Sequence, residues 1–190
     1  MFLKGTRCDT PKCAVERRAA PPGMASSRRS KATEYAAHLR EKQKVKRFYG
    51  VLERQFRKYF QQAERAKGHT GDALMSLLER RLDNIICRLG VGQSRSQSRM
   101  MVTHGHITVN GRLVNIPSYL VRPGDVIRIK GRPKSLQLAQ ANRAETPRQN
   151  PDFLSLVESP EIEAHVLRLP EAVDVSIPVQ TQLIVEFCSK

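Results

Sequence analysis

A chain of 190 residues with 33 Lys and Arg against 18 Asp and Glu carries a formal net charge of +15, which points to a polyanionic partner. Hydrophobic residues make up 39%, enough for a modest core, and no apolar run approaches the roughly 18 residues that a bilayer-spanning helix needs. The opening Met1-Phe2-Leu3-Lys4-Gly5-Thr6-Arg7 lacks the apolar stretch of a secretory signal, and the cysteines at 8, 13, 87 and 188 show no framework spacing, so the expectation is reduced thiols in a cytoplasmic compartment and no membrane partner.

The charge is unevenly placed. Residues 1–70 carry 18 basic and 6 acidic side chains, residues 71–150 carry 13 and 5, and residues 151–190 carry 2 and 7. The first 150 residues suit a phosphate backbone, whereas the acidic tail suits its own body or a basic neighbour.

Residues 1–33, with Pro21-Pro22-Gly23 and Ser26-Ser27-Arg28-Arg29, read as a basic irregular arm. From Glu34 the pattern is helical, and Tyr49, Leu52, Phe56, Tyr59 or Phe60, and Ala63 form a stripe that Gly68 and Gly71 stop. A second helix is expected from the face Leu74, Leu78, Leu82, Ile85 and Leu89, ending at Gly90 and Gly92. Ser94 with Gln97 three positions on predicts a capped third helix that ends at Gly105.

The period then changes to two. Ile107 and Val109 lead into Asn110-Gly111, a type I′ hairpin dipeptide, Val114 and Ile116 continue the alternation, and Val126 to Lys130 follows the Pro123-Gly124-Asp125 turn. A short helix is expected over 136–143. Strand-like pieces follow at 153–157, 165–169 and 183–187, punctuated by Pro160, Pro170 and Pro178. The fold class is α+β.

Catalysis finds no support: Gly-x-Ser-x-Gly, Walker, His-Glu-x-x-His and dinucleotide patterns are absent. Asp72, Glu79 and Asp83, interleaved with Arg80 and Arg81, read as helix-surface pairing. His104 and His106 flank a helix-to-strand turn and read as RNA-facing or structural. Cys8 and Cys13 offer two thiolates, half of a tetrahedral zinc site, and no other half is evident. The stronger signal is basic. Arg40, Lys42, Lys44, Lys46 and Arg47 crowd one helix, with Arg54, Arg57 and Lys58 beyond them and only Glu41 and Glu53 between. That imbalance favours phosphate contact over a solvated face. Arg95 and Arg99 lie one turn apart, and Ser94, Arg95 and the first-turn amides form a natural phosphate seat.

The run Leu78-Glu79-Arg80-Arg81-Leu82-Asp83-Asn84, with Arg88-Leu89-Gly90, Ser94-Arg95, His104-Gly105-His106-Ile107-Thr108-Val109-Asn110-Gly111 and Val121-Arg122-Pro123-Gly124-Asp125, resembles the S-four RNA-binding domain. The flanking Leu39-Arg40-Glu41-Lys42-Gln43-Lys44, Tyr49-Gly50-Val51-Leu52-Glu53-Arg54, Lys67-Gly68-His69-Thr70-Gly71 and closing Leu183-Ile184-Val185-Glu186-Phe187 narrow the resemblance to the small-subunit ribosomal protein S-four family of bacteria or organelles.

That resemblance implies a basic arm at 1–33, a helical part of a first domain at 34–72 and an inserted RNA-binding module at 73–135 of two to three helices and a small hairpin-based sheet. A short helix and linker at 136–152 and an acidic, strand-containing tail at 153–190, packed on the first domain, complete the chain. It implies a ribosome-bound, non-enzymatic protein that binds a multi-helix junction in the 5′ domain of small-subunit rRNA and nucleates assembly of the subunit body. Ribosomal protein S-five, other small-subunit proteins and mRNA where it enters the subunit are implied partners; no small-molecule substrate is. The implied rRNA-facing residues are Arg40, Lys42, Lys44, Arg47, Arg54 and Arg57 in the first domain, and Ser94, Arg95, Arg99 and His104 in the second. Zinc at Cys8 and Cys13 would require an upstream cysteine pair. Ser98, Met100 and Thr103 depart from the residues common in the family's recognition helix. RNA-modifying enzymes share the module, but 190 residues leave no room for their catalytic domain. A free-standing stress factor would lack the helix at 39–71 and the closing segment.

Overall fold

A computed structural model describes residues 1, 3–18, 20, 23, 33–145, 150–157 and 162–189. Pro21, Pro22, Ser26-Ser27-Arg28-Arg29 and Pro160 lie outside the described residues. The described part of the arm holds a 3-10 turn at Gly5–Asp9 and a one-turn helix α1 (Ala14–Arg17).

Thr33 opens α2 (Glu34–Tyr49), its hydroxyl accepting from the Ala36 amide at 3.2 Å. The single stripe expected to run on to Ala63 is broken at Gly50, whose φ of +64° suits glycine. The amides of Gly50 and Val51 return to the carbonyls of Arg47 and Lys46, a Schellman ending. The chain resumes as α3 (Glu53–Glu64), which buries Phe56, Tyr59, Phe60 and Ala63 and leaves Leu52 80% exposed.

The second expected helix is likewise two, α4 (Thr70–Glu79) and α5 (Leu82–Arg88). Gly71 lies inside α4 rather than stopping the helix before it. The break has a tertiary cause. Arg81 is extended and bridges Leu120, while the amides of Leu82 and Val121 bond the carbonyls of Tyr119 and Arg80 at 2.9 and 3.0 Å. The 117–121 loop thus satisfies backbone groups that a continuous helix would pair internally.

α6 (Arg95–Thr103) starts on Ser94, whose hydroxyl accepts from the Gln97 amide, while Gln97 Oε1 accepts from Gln93 rather than from Ser94. β1 (Ile107–Val109) and β2 (Arg112–Leu113) form the hairpin, with Asn110 and Gly111 both at positive φ. The strand expected through Ile116 stops at Leu113, and Ile116 is exposed. β3 (Val126–Ile129), α7 (Pro133–Glu145), β4 (Leu154–Val157) and β5 (Glu163–Val166) follow. The sheet is antiparallel throughout, in the order β2-β1-β3-β5-β4.

Residues 183–187, expected as a strand, lie within α8 (Thr181–Cys188). The tail therefore divides its work. β4 and β5 extend the sheet of the module, and α8 closes the helical half, where Ile184 is fully buried. Two cores result, in an α+β fold. One gathers Val45, Phe56, Leu74, Leu78 and Ile184; the other gathers Leu82, Ile85, Val102, Ile107, Phe153 and Ala164.

Candidate nucleic-acid interface

Arg40 and Arg47 are exposed on α2, and Arg54, Arg57 and Lys58 are exposed on α3. Arg57 reaches Glu53 at 3.4 Å yet keeps its side chain 74% exposed. Three lysines of the same run turn away from solvent, among them Lys46, which donates to Glu53 at 2.6 Å. Lys42, expected on the RNA face, is buried, donates to Glu53 at 2.8 Å and lies 4.6 Å from the Phe187 ring centroid. Lys44 is half-buried between the Glu41 carboxylate, at 3.0 Å, and the Pro178 carbonyl. A clue to Lys42 lay in its spacing: it falls on the stripe that leads to Val45 and Tyr49, so burial takes its stem with the core.

Between the end of α2 and the first turns of α6 lies a cleft of about 150 Å³, lined by Arg47, Gly50, Asp83, Arg95, Ser96 and Arg99. It joins the two basic segments that the sequence offered separately, one from each core. Arg99 is 54% exposed and 3.5 Å from Asp83, which also accepts from Arg81 at 2.6 and 3.0 Å. Arg81 is itself buried, with a further bond to the Tyr59 hydroxyl at 3.0 Å.

Arg95 was expected to seat a phosphate. Its guanidinium carbon instead lies 3.6 Å from the Phe48 ring centroid, and its Nε donates to Asn84 Oδ1 at 3.0 Å. Asn84 donates through Nδ2 to the Glu79 carboxylate at 2.6 Å and to the Glu79 carbonyl at 3.1 Å. The Tyr49 hydroxyl donates to the same carboxylate at 2.6 Å. Burial, then the charge of Glu79, holds the Tyr49 phenol well above its usual range, so it remains a donor. Burial also lowers the Arg95 guanidinium pKa.

Glu79 and Asp83 are therefore interior groups, at 0% and 4% exposure, and not the surface partners expected. Sequence reasoning missed Glu79, Asn84 and Tyr49 as a connected set, because their partners lie as far as 30 residues apart.

Ser94 is half-buried and its hydroxyl caps α6; His104 is exposed. His106 is structural, its Nδ1 lying 2.8 Å from the Ser135 hydroxyl. Ser98 is buried, its hydroxyl unpartnered among the described residues, and a Cβ on Gly92 would come within 2.3 Å of that oxygen. Its departure from the common residue therefore concerns packing. Met100 and Thr103 are exposed.

Cys13 is buried, and Cys8 accepts from the Lys4 amide at 3.2 Å. Among the described residues no group of three or more His, Cys, Asp or Glu is placed to hold a metal. Two thiols do not make the four-ligand set of a structural zinc site, so these residues do not fit one. No helix among the described residues is long and apolar enough to cross a membrane.

Residues 1–79 match the family described as "Ribosomal protein S4/S9 N-terminal domain" and residues 80–127 match "S4 domain". The chain is similar to "Small ribosomal subunit protein uS4" of Thermodesulfovibrio yellowstonii, at 52% identity over 190 residues, covering 100% of this chain and 91% of that protein. Proteins of the same name from Pelotomaculum thermopropionicum and Halothermothrix orenii are 51% and 50% identical, with the same coverage.

Proposed function

The chain belongs to the small-subunit ribosomal protein uS4 family, an rRNA-binding family of ribosome components and not of enzymes, and from that premise we propose that it docks at a multi-helix junction in the 5′ domain of small-subunit rRNA. Bound there it nucleates assembly of the subunit body. Beside ribosomal protein S-five it contributes to accuracy where mRNA enters the subunit.

The observation that carries this reading is the cleft in which Arg47 from one core and Arg99 from the other share a single opening. A junction of A-form helices presents phosphates and 2′-hydroxyls at fixed separations, while its deep major groove is closed to side chains. Cations mounted on two packed cores can read such a shape; cations on a loose tail cannot. Arg40, Arg47, Arg54, Arg57, Ser94, Arg99 and His104 form the RNA-facing set. Lys42 supports that face from within, and the acidic tail is left for protein contacts.

The test is binding of the full chain to a 5′-domain rRNA transcript and to a shuffled transcript of equal length at two salt concentrations. Preference for the native transcript that persists at the higher salt is expected. Equal binding to both, lost as salt rises, would reduce the protein to a general polyanion binder and overturn the proposal.

A further inference from the structure

Arg95 stands where four helices meet through polar side chains. The path starts at the end of α2, where the Tyr49 hydroxyl bonds Glu79 of α4. Glu79 bonds Asn84 of α5, and Asn84 bonds Arg95 of α6. Arg95 then returns to α2 by stacking on Phe48, next to Tyr49, so the path closes on itself. Glu79 and Asn84 are 0% and 1% exposed. Both Nδ2 bonds of Asn84 go to Glu79, which leaves Oδ1 aimed as the acceptor for Arg95. Phe48 and Tyr49 belong to the first core, and α5 and α6 carry the second.

Two cleft arginines hang directly on this ring. Arg47 precedes Phe48 in α2, and Arg99 follows Arg95 by one turn of α6. Building on the RNA-binding reading above, we infer that Arg95 is a positioning residue, clamping α2 to α5 and α6 so that Arg47 and Arg99 are held at the separation the RNA junction presents. Its contribution lies in the planar, forked shape of the guanidinium, which stacks and bonds at once. A direct phosphate contact would depend chiefly on its charge and would register in the salt slope.

The two roles give opposite readings. Each phosphate contact contributes about 0.7–0.9 to the log–log salt slope of affinity. The full chain and its Arg95→Lys, Arg95→Gln, Arg99→Gln and Asn84→Ala variants are titrated with the 5′-domain and shuffled transcripts across a salt series, with folding followed by circular dichroism. Arg99→Gln calibrates the loss of a phosphate contact, about 0.7–0.9 in slope.

Positioning predicts that Arg95→Lys, although it keeps the charge, lowers the preference for the native transcript on the order of tenfold without changing the slope. Asn84→Ala, which removes a neutral, buried group, produces the same loss. Combined with Arg95→Lys it adds little, since both break one interaction. Retained preference in Arg95→Lys, with a slope reduced by about 0.7–0.9 in Arg95→Gln, makes Arg95 a phosphate contact and overturns the inference. If Arg95→Gln does not fold, the lysine and Asn84 variants decide between the same two readings. A wild-type chain without preference would fail at the earlier step, the recognition of the junction itself.

Discussion

Glu53, at the first turn of α3, accepts from Lys42 at 2.8 Å and from Lys46 at 2.6 Å, both from the helix before it. Burial alone would raise its pKa, but the hydrogen bonds and charges of the two lysines outweigh that and hold it at about 2, against an ordinary 4.5. A carboxylate depressed on folding adds stability that is fully present above its unfolded pKa and is lost as pH falls through the folded one. The window is therefore pH 4.5 down to about 2. The full shift would correspond to about 3 kcal/mol; with the side chain 36% exposed, solvent screening brings it to about 1–2 kcal/mol. Urea denaturation of the wild type and Glu53→Gln at pH 6, 4 and 3 should show a gap of that size at pH 6 that narrows as the acid is titrated. A gap independent of pH would mean that Glu53 acts through packing. The same pair explains why Lys42 looks basic in sequence and behaves as a core residue. A run of cations does not say which one lies on the apolar side of the helix until the acid that receives it is in place.

At the scale of elements, α8 docks on α4 at a point with no room for another carbon. A Cβ on Gly71 would lie 2.7 Å from Thr181 Cβ. Inside a helix, Gly→Ala alone should gain about 1 kcal/mol. Overpacking against a backbone-anchored Cβ costs about 1–3 kcal/mol, so the net effect of Gly71→Ala is a destabilisation of about 1 kcal/mol. Thermal denaturation should show a lower midpoint, partly recovered when Thr181→Gly is added; a rise would show that α8 shifts freely. The helical stretches that hold α2 to α7 and the hairpin were legible, though not the division of α2 from α3 or of α4 from α5, because stripes, caps and the Asn110-Gly111 turn are local signals. The closing segment was not. Leu183, Val185 and Phe187 alternate as a strand does, while Ile184, Phe187 and Cys188 recur as a helix does, and only the groove between α2 and α4 decides. The Arg80-Arg81 break was hidden for a similar reason, since Leu78 and Leu82 keep helical spacing across it while packing into different cores. The basic faces of the candidate site could be read along the chain. The ring behind its cleft could not, because it is built from pairs 11 and 30 residues apart.

For the whole molecule, the sign of the charge follows the fold. Three of the tail's seven acids are engaged within the protein: Glu163 lies 2.6 Å from Arg128, Asp174 2.7 Å from Arg168 and Glu186 3.4 Å from His38. They leave the exposed arginines of α2 and α3 with few competitors for phosphate. If about ten phosphates are neutralised, the log–log salt slope of rRNA affinity should be on the order of −7 to −9. Arg40 and Arg54 are exposed and lie outside the cleft, so they supply strength without reading shape. The Arg40→Gln, Arg54→Gln double variant should then bind with a slope shallower by about 1.4–1.8. Its preference for the native over the shuffled transcript should stay within about twofold of the wild type, since phosphate contacts outside the cleft carry no shape information. Because the slopes differ, the affinity gap between the two proteins should narrow by roughly tenfold between about 50 and 200 mM salt. An unchanged slope would remove these two arginines from the RNA face. A lost preference would place them in the recognition of the junction, alongside the cleft.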